Sequence, residues 1–246
     1  MAIFPPTTLP LPGEVLLITD ELLAPADFLL HRHLATHLKE SKHSKCLLVS
    51  VSEDIGRWKA VAQRSNLNFA QYLDSGALSS IDVMSLVSPT LDGKTEVPLR
   101  SLFQHLSATL ARLQQDPENK VSVILDDVAS LEWMGIPIAD ISRFIRALCA
   151  VCRKSDASLV LRYHVTTPGE PDELVKCLLQ LCTYHLDVFP LSSGRSGSVS
   201  GQVALHCGPG TAEPAHRLIP RSVAVQYRLT DVGSVFFDRG TGSGVL

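Results

Sequence analysis

The sequence has few charged residues and lacks long apolar runs. Only 19% of its 246 residues are charged, and the formal net charge is −3. A protein that binds nucleic acid by itself usually carries an excess of basic residues, so this balance argues against that class. Apolar segments such as residues 15–18 and 121–125 are far shorter than the roughly 20 residues of a bilayer-spanning helix.

The first residues also lack the basic and apolar regions of a secretory signal. We therefore expect a reducing intracellular compartment, in which the six cysteines are small buried hydrophobic residues. Cys149 and Cys152 have the spacing of a redox motif, but they end an apolar helical pattern, where the helix dipole disfavours a thiolate. The sequence has no second Cys-x-x-Cys motif to complete a zinc site, so we predict that both are structural.

Apolar segments typical of buried strands alternate with segments of helical periodicity. The pattern predicts strands at 14–19, 46–52, 81–87, 121–127, 158–165 and 184–189, with helices between them. One of these helices follows a possible capping box, Ser50-x-x-Glu53. Such alternation produces a mostly parallel sheet with helices on both faces.

The C-terminal part of the sequence has a different pattern of predicted elements. Three strand patterns, at 202–207, 223–229 and 233–238, follow one another without helices and predict antiparallel edge strands. Residues 1–13 hold four of the fifteen prolines and predict an extended arm. We therefore expect an α/β chain with a proline-rich arm over 1–13 and a single domain over 14–246.

The loop after the first strand lacks the residues that bind phosphate. In nucleotide-binding folds this loop is rich in glycine, its backbone N–H groups surround the phosphates, and a lysine reaches them. Here residues 20–27 read DELLAPAD, with no glycine, no lysine and three carboxylates. Pro25 removes one further N–H donor. We predict that this chain by itself does not bind a nucleoside triphosphate in the ordinary way.

Asp126 and Asp127 follow the apolar segment 121–125, as the acidic residue of a Walker B strand does. In a working NTPase that residue holds Mg²⁺. Because the phosphate loop is missing, we interpret the pair as a degenerate Walker B-like feature, with magnesium binding as the alternative.

Other motifs are weaker. His33 and His37 have i,i+4 spacing without the glutamate of a zinc protease, and with the neighbouring lysines they predict a solvated, partly basic face. Residues 192–201 are mostly Ser and Gly, typical of a mobile surface linker, and Arg195 is their only charge. Arg217 and Arg221 lie near the final strands, as phosphate or partner contacts or simply as surface residues.

These features occur together with several local sequence matches. The final strand patterns read VQYRL at 225–229 and VFFDRG at 235–240, and inner segments read LNFAQYLDSGAL at 67–78 and LDDVASL at 125–131. On these residues the chain, over 14–246, resembles the Elongator complex protein 6 family of small RecA-like accessory subunits of Elongator.

The resemblance implies a RecA-like fold without a phosphate loop and a non-catalytic role. It implies assembly with accessory subunits four and five into a hetero-hexameric ring that docks on the catalytic Elongator lobes, binds tRNA and supports wobble-uridine modification. ATP is then expected only in the assembled ring, and the chain in the cytoplasm and also the nucleus. Arg195, Arg217 and Arg221 become candidate RNA contacts.

A second hypothesis comes from another class. The chain is then an active NTPase, or another degenerate RecA paralogue, with an unrecognised phosphate site. The acidic, glycine-free loop at 20–27 favours the first hypothesis, because carboxylates repel phosphate.

Overall fold

The computed structural model describes residues 4–86, 88–89, 95–96, 99–170, 172–194, 197–211, 213–231 and 233–239. The strands in these ranges are β1 Val15–Glu21, β2 Ser44–Ser50, β3 Leu78–Asp82, β4 Ser88–Pro89, β5 Thr95–Glu96, β6 Lys120–Leu125, β7 Ser158–Val165, β8 Tyr184–Phe189, β9 Gly201–Cys207, β10 Val225–Thr230 and β11 Gly233–Phe237. The helices are α1 Asp27–Glu40, α2 Ile55–Arg64, α3 Phe69–Asp74, α4 Leu99–Leu113, α5 Ala129–Trp133, α6 Ile138–Lys154 and α7 Glu173–Leu181.

Nine strands form one sheet in the order β11-β10-β9-β8-β1-β7-β6-β2-β3. The six strands from β8 to β3 are parallel to one another. The last three strands pair antiparallel, β9 with β8, β10 with β9 and β11 with β10. The predicted parallel sheet with antiparallel C-terminal edge strands is therefore confirmed.

The sheet separates two hydrophobic cores, because successive side chains of a strand point to opposite faces. On β1, Val15 and Leu17 face the core that α4, α6 and α7 complete. Leu16 and Ile18 face the other core, under α1, α2 and α3. Both faces of the central strands are thus covered, which explains why their sequences are continuous apolar runs rather than alternating ones.

The N-terminal segment contributes to the second core. Leu9 is buried there, and the Phe4 ring meets the Phe236 ring of β11 edge-on at 5.6 Å. Phe4 and Leu9 therefore pack against the sheet and the helices that cover it. No helix within the described ranges is long and apolar enough to cross a membrane.

Three local predictions need correction. Asp54 precedes α2 and caps it, because its side chain accepts a hydrogen bond from the Arg57 N–H, so the proposed Ser50–Glu53 capping box is wrong. Helix α5 was not predicted, because five residues are too short to show a helical period. The third strand, β3, ends five residues earlier than the predicted 87.

The histidines of α1 do not form a solvated face, contrary to the sequence interpretation. His31 is buried, a His33 ring nitrogen lies 2.9 Å from Ser122 Oγ of β6, and a His37 ring nitrogen lies 2.9 Å from the Lys45 carbonyl oxygen. Burial lowers the pKa of His33 to about 3. These rings face the sheet because α1 lies across β2 and β6, a placement that the local sequence does not reveal.

Candidate functional site

The carboxyl ends of the parallel strands form the edge where α/β folds bind ligands. At this edge β1 ends in Asp20 and Glu21, β7 carries Arg162 and His164, and β6 is followed by Asp126 and Asp127. Because β7 lies between β1 and β6, it brings its basic side chains between the two sets of carboxylates. The α/β folds that bind nucleotides hold them at this edge.

The carboxylate of Asp20 lies where α1 begins. Its Oδ2 accepts a hydrogen bond from the Ala26 N–H at 2.7 Å and two more from Arg162, at 3.1 and 2.8 Å. Its Oδ1 lies 3.2 Å from Nδ1 of His164. The Asp20 side chain is completely buried.

These contacts shift the ionisation of the group. Burial by itself raises the pKa of Asp20, but the hydrogen bond with His164 and the charge of Arg162 outweigh it, and the pKa is lowered overall. The hydrogen bond with Asp20 raises the pKa of His164. The Asp20 carboxylate therefore binds the Ala26 N–H and the basic side chains of Arg162 and His164, which are the kinds of group that a phosphate would require at this position.

The hydrogen bonds of Asp126 give it a structural role. Its Oδ1 accepts hydrogen bonds from the N–H groups of Val51 and Ser52, at 2.6 and 3.2 Å, and its Oδ2 accepts one from Glu53 at 3.2 Å. The Ser50 hydroxyl lies 3.0 Å from the same Oδ2. The carboxylate thus fixes the turn after β2, and burial raises its pKa despite these bonds.

Asp127 holds the start of α5. Its Oδ1 accepts hydrogen bonds from the N–H groups of Ala129 and His164, at 3.0 and 3.4 Å, and its Oδ2 accepts one from the Ser130 hydroxyl at 2.7 Å. Both aspartates of the Walker B-like pair are therefore engaged by neighbouring backbone N–H and hydroxyl groups. Among the described residues, no group of three or more His, Cys, Asp or Glu side chains is arranged to hold a metal ion.

The three candidate RNA-contacting arginines lie in different settings. Arg221 donates two hydrogen bonds to Asp187 of β8, at 2.5 and 3.0 Å, and its guanidinium lies 4.6 Å from the centre of the Phe189 ring. Arg217 is exposed. Arg195 lies outside the described residues. Arg221 lies near enough to Glu21 for their charges to interact, but no hydrogen bond joins Arg217 or Arg221 to Asp20 in the part of the chain that the structure describes.

The two cysteines of the redox-like motif are buried on α6, as predicted. Burial raises the pKa of Cys149 to about 11 and that of Cys152 to about 12. Neither thiol therefore has the thiolate character of a redox site.

Sequence reasoning missed Arg162 and His164. The one signal that points to them is their spacing in β7, because two basic residues two positions apart in an otherwise buried strand must share one face. Their partner Asp20 was recognised as part of an acidic loop, but its role as an internal ligand was not.

Comparisons with known proteins agree on one family. The model of the family described as Elongation complex protein 6 matches residues 5–231. Elongator complex protein 6 from Danio rerio is 24% identical, over 96% of this chain and 94% of its own length. The protein of the same name from Xenopus tropicalis is 25% identical, over 95% of this chain and 93% of its own length.

A solved structure shares the fold. A KaiC-like protein from the hyperthermophilic archaeon Pyrococcus horikoshii matches with a TM-score of 0.66, over 92% of this chain and 90% of that chain, at 9% identity. At this identity the likeness shows the fold alone, which is RecA-like. The family model spans nearly the whole chain, and the chain therefore belongs to the Elongator complex protein 6 family.

Proposed function

We propose that this chain is a non-catalytic, pseudo-NTPase subunit of Elongator. In this proposal it assembles with accessory subunits four and five into a hetero-hexameric ring. The ring docks on the catalytic Elongator lobes, binds tRNA and supports the modification of the wobble uridine. The chain acts in the cytoplasm, with the nucleus as a further compartment.

One observation carries the non-catalytic part of the proposal. The carboxylate of Asp20 accepts the Ala26 N–H and the Arg162 hydrogen bonds at the edge where phosphate affinity originates in nucleotide-binding folds. An incoming phosphate would meet a buried like charge there, and like charges in a low-dielectric site repel strongly. ATP therefore binds, if at all, in the assembled ring.

The ring and the tRNA role rest on family membership. Relatives over nearly the whole chain are named Elongator complex protein 6, and this name places them in a multi-subunit complex. The low charged fraction of this chain, 19%, fits surfaces that partner chains cover. The competing hypothesis, an active NTPase with an unrecognised phosphate site, requires micromolar nucleotide affinity without partners.

Calorimetric titration of the isolated chain with Mg-ATP separates the two hypotheses. We expect a dissociation constant of about 1 mM or weaker, that is, about −4 kcal/mol or less favourable. A micromolar value would support the active NTPase.

Co-expression with accessory subunits four and five tests the assembly. We expect a species with the mass of about six RecA-like domains, because a ring of three different subunits closes with two copies of each. A chain that stays monomeric in the presence of both partners would contradict the proposal.

A further inference from the structure

A small pocket lies between α1 and the sheet, under the N-terminal segment. Leu16 and Ile18 of β1 and Leu186 of β8 line it from the sheet, and Pro5 and Pro6 line it from the N-terminal segment. Its volume is about 40 Å³. One water molecule needs roughly 10–15 Å³ of such space, so the pocket has room for about three groups of that size, the length of a propyl chain.

One side of α1 supplies polar side chains to this pocket. Arg32, His33 and Thr36 line it together with Leu29, because residues three, four and seven positions apart lie on the same side of a helix. The two prolines of the N-terminal segment contribute carbon surface and no backbone N–H. The pocket is therefore apolar towards the sheet and polar towards α1.

Arg32 is a partly buried cation that has no carboxylate partner within the described ranges. Burial lowers its pKa and no negative charge offsets this effect, whereas carboxylate partners raise the pKa values of Arg162 and Arg221. The Arg32 guanidinium lies 5.0 Å from the centre of the Phe236 ring. A ring face contacts the flat side of a guanidinium and does not accept hydrogen bonds from its in-plane N–H groups. An anion in the pocket would therefore compensate a charge that the chain leaves unpaired.

The charge of the pocket matches a carboxylate better than a phosphate. Burial lowers the pKa of His33 to about 3, so its ring is neutral at physiological pH and Arg32 is the one cation that lines the pocket. A phosphate monoester carries about −1.5 to −2 charges and three strong acceptor oxygens, more than one guanidinium satisfies. A carboxylate carries a single charge, and a guanidinium binds it through two parallel hydrogen bonds. The apolar floor then favours an alkyl chain attached to that carboxylate.

We propose that this pocket binds a short aliphatic carboxylate of about four carbons. The carboxylate pairs with Arg32, and the Thr36 hydroxyl is a further hydrogen-bond donor. The alkyl chain lies against Leu16, Ile18 and Leu186. This inference goes beyond the proposed function and does not depend on it, because every side chain that lines the pocket comes from this chain.

Ligand-observed NMR titration of the full chain tests the site with a series of small probes. We expect sodium butyrate to bind with a dissociation constant of about 1 mM, a value that so small a ligand can reach. Affinity should rise about fourfold with each methylene from acetate to butyrate, because each methylene leaves water. It should level off at hexanoate, whose chain is longer than the enclosed space. Butyramide has nearly the same shape and no charge, and it should bind at least about tenfold more weakly.

Matched variants assign the binding to this pocket. Arg32→Met removes the charge and keeps an apolar chain beside Phe236, so it should weaken butyrate binding about tenfold and leave butyramide binding unchanged. Arg64→Met makes the same change at an exposed position of α2 and should affect neither ligand. Thr36→Leu fills part of the pocket and should weaken both ligands about tenfold. Thermal unfolding establishes that each variant is folded, and butyrate should raise the unfolding temperature of the wild type but not of Arg32→Met.

Three outcomes would overturn this inference. The first is equal binding of butyrate and butyramide, or an Arg32→Met protein that binds butyrate as the wild type does. The second is an affinity that does not depend on chain length, since an exposed cation alone would then hold the carboxylate. The third is inorganic phosphate binding more tightly than butyrate. None of them bears on the proposed role in Elongator, which assembly with the sister subunits tests separately.

Discussion

Arg162 on β7 donates from Nε and Nη2 to one carboxylate oxygen of Asp20 on β1, at 3.1 and 2.8 Å. The two residues lie 142 positions apart in the chain and on adjacent parallel strands. Their ion pair occupies the end of the first strand, where related folds bind phosphate. The same ion pair also stabilises the folded chain, and this gives a direct test.

Asp20→Ala should destabilise the protein by about 3–5 kcal/mol, because it leaves Arg162 buried without its counter-charge. Urea unfolding measures the change. Asp74→Ala is the matched control, since Asp74 is exposed at the end of α3 and should have little effect. A double variant with Arg162→Met should recover part of the loss. An Asp20→Ala protein as stable as the control would contradict the importance of the pair.

The pH dependence of the stability that Asp20 contributes follows from the direction of its pKa shift. The folded pKa of Asp20 lies below its ordinary value of 3.8. The stabilisation is therefore fully present above that value and is lost as the pH falls through the lowered pKa. Asp20→Ala should remove this part of the acid dependence.

His33 should make the protein sensitive to mild acid. Burial and the neighbouring His37 lower its pKa from 6.5 to about 3, so the folded protein keeps it neutral while the unfolded chain takes up a proton. Stability should therefore fall from pH 6.5 towards pH 3, by about 1.4 kcal/mol per pH unit. His33→Gln should flatten this slope, and His105→Gln, at an exposed position of α4, should not. Equal slopes in all three proteins would refute the assignment.

Cys149 and Cys152 should react slowly with a thiol reagent in the native protein. Their pKa values of about 11 and about 12 leave almost no thiolate near neutral pH, and both side chains are buried. Cys207 is exposed and serves as the internal reference that should react first. Rapid labelling of either helix cysteine, or a disulfide between them, would show that the site is redox-active.

Arg195 and Arg217 are the cations that we expect to contact tRNA in the assembled complex. Replacing either with Ala should weaken binding and reduce the slope of log affinity against log salt by about 0.9, one phosphate contact, with assembly intact. Arg143→Ala is the control, because Arg143 is exposed and paired with Asp140 on α6. If affinity and slope are unchanged in both variants, the contact lies on Arg221 or on partner chains.

Much of the architecture could be predicted from local pattern. The alternation of apolar strands and amphipathic helices predicts the mostly parallel sheet, and β7 and β8 have the predicted bounds. The predicted first and last residues of the strands were less accurate, because an apolar pattern does not show where the hydrogen bonding between strands stops. Thus β1 continues two residues beyond the predicted Thr19, and this extension carries Asp20 and Glu21 into the sheet.

The sequence by itself determined that the first loop lacks glycine and lysine, and hence that ordinary phosphate binding is not expected there. It also determined that the central strands are buried on both faces, because their sequences are continuous apolar runs. Only the tertiary structure decided which groups replace the phosphate contacts. Asp20 meets Arg162 and His164 because the sheet order places β7 beside β1, and a local pattern does not contain the pairing of strands far apart in the chain.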